Sequence, residues 1–161
     1  MGFGVNDKLD NEYNESATLT LIKAIFGAFI GTIPSAVLWI TMGKVGYISE
    51  VCGFFMIFGE MYICSLMTKK SRDMNFETAI VICIIVTLIM VYVCERAVWS
   101  WDIYDALAPA VPSVRYCFLH FENLIMDTEL NSDFEAELFK SYIITAMGAT
   151  TNVVKTLNWN P

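Results

Sequence analysis

The sequence predicts an all-α integral membrane helical bundle, with about four transmembrane helices and one extra interfacial helix. Two observations predict it. Three apolar stretches, Ala24 to Gly43, Val45 to Thr68 and Thr78 to Cys94, fill most of the first hundred positions. Each is close to the roughly 20 residues that cross a bilayer. Hydrophobic residues make up 56% of the 161-residue chain and charged residues 17%, against roughly 45–50% and about 25% in soluble domains. A soluble helical protein with a very large core is the alternative, and it does not explain why several runs match the bilayer length.

Residues 1–16 read as a flexible acidic tail. Asp7, Asp10, Glu12 and Glu15 dominate it, and little apolar surface is there to bury. No basic region leads a short apolar core, so the first apolar run is expected to stay as an anchor rather than be cleaved as a signal. Residues 17–161 then form a single transmembrane domain. Its helices are expected at about 18–42, 46–67, 75–101, 114–126 and 132–157.

The first helix carries Gly27, Gly31 and Ser35 at spacing four, which stacks them on one face. Small residues so placed let membrane helices approach closely. Pro34 removes a backbone donor in mid-helix. Such a bend marks a permeation site in some transporters and is mere shape in others. Gly43-Lys44 and Gly46 make a short turn, so helices one and two form an antiparallel hairpin. The second helix adds Gly53 and Gly59 as close-approach points, and the third is rich in Ile and Val.

Pro109 and Pro112 break the helical pattern, and Ser113 is placed to cap the segment 114–126. Val114, Phe118, Phe121, Leu124 and Ile125 fall near one face of it. That suits an interfacial helix on the membrane surface or one folded back on the bundle. Ser132-Asp133-Phe134-Glu135 reads as a capping box. The helix it opens has a short apolar part, Tyr142 to Val154, and is read as a fourth span or a re-entrant helix.

The strongest basic loop is Lys69-Lys70-Arg72. The positive-inside rule places it in the cytoplasm, and four spans then put both termini there. Trp39, Tyr47, Trp99 and Trp101 would form an aromatic belt at the outer interface.

Glu60 is the leading candidate for function. Eight residues separate it from Lys69, roughly 12 Å of helix. A carboxylate at that depth costs about 2.5–3.5 kcal/mol on insertion scales. It must be protonated, paired, or facing a wet cavity, and Lys23 is a possible partner. Glu50, Glu95 and Arg96 lie nearer the outer rim with Lys44 close by. They read either as a cation entry site or as an ion-pair cluster pinning the hairpin to helix three.

Several classes are excluded or disfavoured. The net charge of −7 and the scattered Lys and Arg argue against nucleic acid, which needs a basic footprint. His120 stands near Cys117 and Glu122 without a metal-binding spacing, and the five cysteines form no CxxC. No metal and no cofactor are expected. GxSxG, HExxH and P-loop patterns are missing, so the chain is not read as an enzyme.

Gly27, Gly31, Pro34 and Trp39, then Gly46-Tyr47, Gly53 and Tyr62, carry a resemblance. Met90-Val91-Tyr92, Asp102-Ile103-Tyr104 and the stretch Phe134 to Gly148 extend it. In these features the chain resembles a group of small multipass membrane proteins of Gram-positive, Clostridia-type bacteria. The resemblance implies topology and a bacterial cell membrane, and no activity. Two functions are expected from the sequence: a transporter or channel for an ion, proton or small solute, or a non-catalytic scaffold binding another membrane protein. The glycine faces also predict self-association as a homodimer.

Overall fold

The computed structural model describes residues 4–45, 51–68, 76–127 and 130–158. Six helices account for nearly all of them: α1 (Gly4–Lys44), α2 (Val51–Thr68), α3 (Phe76–Leu107), α4 (Val114–Leu119), α5 (Phe121–Asp127) and α6 (Asn131–Asn158). Among the described residues no strand is formed.

Three boundaries differ from the sequence reading. The helix begins at Gly4, not near residue 18, so a helix replaces the expected tail over most of 1–16. Polarity argues against burial, not against helical backbone, and no proline interrupts the segment before Pro34. The third helix runs six residues past 101, to Leu107, because the first residue that stops it is Pro109. The sixth helix starts at Asn131, whose Nδ2 donates to Glu135 Oε1 at 2.9 Å. Ser132 is therefore inside the helix and is not its cap.

The helix α1 continues unbroken through Pro34 and packs antiparallel on α2, with Gly27 beside Cys64 and Gly31 beside Gly59. Helix α3 lies against both. Three core layers follow one another along the bundle. Ala24, Ala28, Cys64, Ile82, Cys83 and Val86 form the first. Ala36, Trp39, Cys52, Met56, Val91, Cys94 and Val98 form the second. In the third, Phe121, Ile125 and Cys117 pack with Ile103, Val111 and Phe134.

The segment 114–126 is thus two short helices folded back on α3 and α6, with the change of direction at His120. Ser113 caps α4 by accepting from the Tyr116 N–H at 3.2 Å. The Arg96 guanidinium locks this segment down. Its Nε and Nη2 both donate to the Phe118 carbonyl, at 3.1 and 2.7 Å. That carbonyl belongs to the last turn of α4, where the helix itself supplies no donor.

The bundle is apolar outside as well as inside. Phe26, Phe29, Ile33 and Val37 on α1, and Val81, Ile85 and Ile89 on α3, are exposed, while Ala, Cys, Ser and Thr fill much of the interior. Two helical segments, Thr18–Lys44 and Glu77–Leu107, are long and apolar enough to cross a membrane, by length and composition. Only 39% and 33% of their most apolar stretches is buried. The core helix of a soluble protein would have most of that surface covered.

Candidate functional site

Glu60 is fully buried, at 0% exposure, where α1, α2 and α3 meet. Its position follows from a four-residue stripe on α2. Cys52, Met56, Glu60 and Cys64 are all buried, and the outward positions between them hold Phe55, Phe58 and Tyr62. Gly31 and Gly59 let α1 come within backbone contact of α2 beside it: a Cβ on Gly31 would lie 2.7 Å from the Glu60 Cα.

Thr87 of α3 is the side chain that reaches Glu60. Its Oγ1 lies 2.9 Å from Glu60 Oε2 and also 2.9 Å from the Cys83 carbonyl. A hydroxyl has one proton, so it serves one of these acceptors at a time. When it is given to Cys83, the Glu60 contact requires the proton to sit on the carboxyl. The second oxygen, Oε1, is buried without a hydrogen-bond partner. Cys64 and Cys83 are hydrogen-bonded to each other across α2 and α3, so the ground beside Glu60 is sulfur and hydrocarbon.

Lys23 does not meet Glu60; its side chain is exposed. A lysine at that level of α1 gains more from water than from a dry interior.

The expected rim cluster does not assemble. Glu95 is nearly buried, at 4% exposure, and accepts a 2.5 Å hydrogen bond from Ser141 of α6. Arg96 turns the other way, since neighbouring helical residues do not share a face. Its Nη1 reaches Glu122 Oε1 at 3.4 Å, and the Tyr92 hydroxyl donates to the same oxygen at 2.9 Å. Lys44 lies 3.4 Å from the centre of the Trp101 ring. Glu50 is outside the described residues.

The small residues are used within the chain. Gly27 and Gly31 face α2, Gly59 faces α1, and Gly53 faces Thr145 of α6. Ser35 is buried in the same interior. The glycine faces therefore give no argument for a homodimer. Trp39 also departs from expectation. It is not in an outer belt but is the largest fully buried side chain, with its Nε1 unpartnered. Trp99 keeps its polar edge outward, donating to Glu137 Oε2 at 2.9 Å.

His120 caps the end of α4, is exposed, and stacks on Tyr116 with ring centres 4.2 Å apart. Cys117 is wholly buried, and burial pushes its thiol above the ordinary value, which marks it as packing rather than a nucleophile. Among the described residues no group of three His, Cys, Asp or Glu side chains is placed to hold a metal.

Thr87 and Ser141 are the polar partners of the buried acids that pattern reading missed. The hydroxyls carried one usable signal: Thr87 is one of the few polar residues in the Ile- and Val-rich run of α3. The chain matches no known family, no curated protein and no solved structure.

Proposed function

We propose that this is a multipass membrane protein that moves an ion, proton or small solute, with Glu60 as the acid on which transport depends. In this reading α2 and α6 cross the bilayer beside α1 and α3. The outward Phe55, Phe58 and Leu66 of α2, and Phe139, Ile143 and Met147 of α6, support it, because all are exposed large apolar side chains. Positive charge at Lys69, Lys70 and Arg72 favours a cytoplasmic α2–α3 loop and cytoplasmic termini in a bacterial membrane.

One observation carries the transport reading: a carboxyl group held in the bundle interior with one oxygen left unpartnered. Ionisable groups in a membrane interior are rare and mark ion and proton pathways. A purely structural role needs no acid at this position, since a Gln would bridge α2 to Thr87 equally well. Flux of protons, monovalent cations and small neutral solutes into proteoliposomes tests it. The expected result is flux of one of them that Glu60→Gln abolishes. Flux unchanged in that variant removes Glu60 from the mechanism.

A further inference from the structure

Sulfur is concentrated in the second core layer. Five of the twelve residues that make up this layer and pack against it carry sulfur, against fourteen of 161 in the whole chain. They come from three helices: Met42 from α1, Cys52 and Met56 from α2, Met90 and Cys94 from α3. The register of the α2–α3 pair brings them together. Cys64 meets Cys83, and Glu60 meets Thr87. Each step back along α2 is thus a step forward along α3, so Cys52 comes level with Cys94 and Met56 with Met90. On each helix the two sulfurs are four residues apart and share a face. Cys52 and Cys94 are buried neighbours. The Cys52 thiol donates to the Met42 thioether, at 3.7 Å, across α1 and α2.

Packing alone explains a methionine or a cysteine in a core, but not this convergence. Two sulfurs each about 2.3 Å from one metal, at a tetrahedral angle, stand about 3.8 Å apart. The Met42–Cys52 pair already has that span. We propose that this layer is a binding site for a soft monovalent metal cation, Cu(I), with Cys52, Cys94 and Met42 as its ligands and Met56 and Met90 walling it in. Met42 is partly exposed, two residues before the end of α1, and is the point of entry. The site stands apart from the transport reading, which turns on Glu60. Its test uses no vesicle, so either can fail alone.

The donor set selects the metal. Calcium and magnesium take oxygen ligands. Zinc takes cysteine, histidine and carboxylate, and no group of three such side chains forms among the described residues. Thiolate together with thioether selects Cu(I). A bound metal strips the proton from a coordinating thiol. One S–H bond breaks, one S–Cu bond forms, and the proton leaves to the buffer, while the second thiol and the thioether donate without charge. One thiolate cancels one monovalent cation, and an apolar layer tolerates only a neutral complex cheaply.

Anaerobic competition for Cu(I) between bicinchoninate and the full chain in detergent tests this. The expected result is one tightly bound Cu(I) per chain, displaced by Ag(I) and not by Zn(II). X-ray absorption should show sulfur at about 2.3 Å around the ion. The double variant Cys52→Ala/Cys94→Ala should weaken binding by more than about 100-fold, since even the outer partners of a metal site are worth about 10–100-fold. Met42→Leu keeps the side chain's bulk and should weaken binding several-fold with an unchanged melting temperature, which separates a lost ligand from a lost fold. Cys64→Ala and Cys117→Ala should bind as wild type. The site is overturned by no binding of Cu(I), by oxygen or nitrogen around the ion, or by Zn(II) bound as tightly as Cu(I). Wild-type affinity in Met42→Leu overturns it, as does a loss in Cys64→Ala that the double variant does not show.

Discussion

The backbones of Gly31 and Gly59 are in direct contact. A methyl group on either would run into the carbonyl of the other, so α1 and α2 cross at a point where no side chain fits. This crossing sets the register of the hairpin and brings Glu60 beside α1. Glycine carries an entropic cost in a helix, offset here by close packing on both sides.

Gly31→Ala is expected to destabilise the bundle by about 1–3 kcal/mol, the usual cost of forced overpacking. Backbone atoms stand in the way, and backbone yields less than a side chain. Gly27→Ala should cost less. Its added Cβ would lie 3.1 Å from the Cys64 Cα and from the Met67 sulfur, and the methionine can move. Thermal unfolding in detergent, followed by circular dichroism, gives the order. Equal melting points for the two variants would contradict the crossing geometry.

Gly53 makes a different contact, with the Thr145 side chain of α6. Gly53→Ala should destabilise the docking of α6, and Thr145→Ala should recover part of the loss by clearing the space. A double-mutant cycle is expected to give a coupling of about 0.5–3 kcal/mol, as for other residues in contact. Additive effects would place α6 elsewhere.

The Ser141–Glu95 hydrogen bond joins α6 to α3 in the interior, and Tyr142 adds a second bond by donating to the Leu88 carbonyl at 3.1 Å. Ser141→Ala removes a donor from a buried acid and is expected to cost about 1–3 kcal/mol, the penalty for a buried group losing its partner. Glu95→Gln should be milder, since an amide oxygen still accepts from Ser141. Chemical unfolding of both variants ranks them, and a reversed order would show that Ser141 is not what holds Glu95.

The helices and the unusual position of Glu60 were legible in the sequence because both depend on hydropathy. An acid in an apolar run stands out by its cost. Its partner did not stand out, because Thr87 is uncharged and costs little in a helix that satisfies its own backbone. Lys23 looked like a partner on charge alone, yet a lysine near the end of the apolar segment Thr18–Lys44 stays with water. The rim cluster failed for a geometric reason. Glu95 and Arg96 are adjacent in sequence, and a helix turns adjacent residues about 100° apart, one into the bundle and one toward α4. Trp39 was assigned to a belt by its residue type, whereas its burial is set by α2, α3 and α6 packing around it. The short segment 114–126 was readable as amphipathic, but not the latch that Arg96 makes on the Phe118 carbonyl.

That latch separates two arginine functions. Arg96→Lys keeps the charge and loses the fork that grips the Phe118 carbonyl with two nitrogens. It should loosen α4 and α5, seen as faster proteolysis near His120. Glu122→Gln removes the ion pair alone. The Glu122 side chain is 59% exposed, and exposed pairs contribute about 1 kcal/mol or less, so its cleavage rate should stay near wild type. Equal acceleration in both variants would assign the latch to the ion pair instead.

The outward apolar faces decide which solvent surrounds the bundle. Ile33 on α1 and Ile85 on α3 are each more than half exposed. In water, arginine at such positions is nearly neutral, within about 0.5 kcal/mol, and improves solubility. In a bilayer, arginine at a helix centre costs about 2.5–3.5 kcal/mol on insertion scales. Ile33→Arg and Ile85→Arg are therefore expected to lower the fraction of protein that resists alkaline extraction from membranes, and together to lower it further. Val98 supplies the control for simple misfolding, because it faces the core: Val98→Ala should leave extraction unchanged. If the double arginine variant stays folded and monodisperse without detergent, as the wild type would then also do, these faces meet water and the membrane reading is lost.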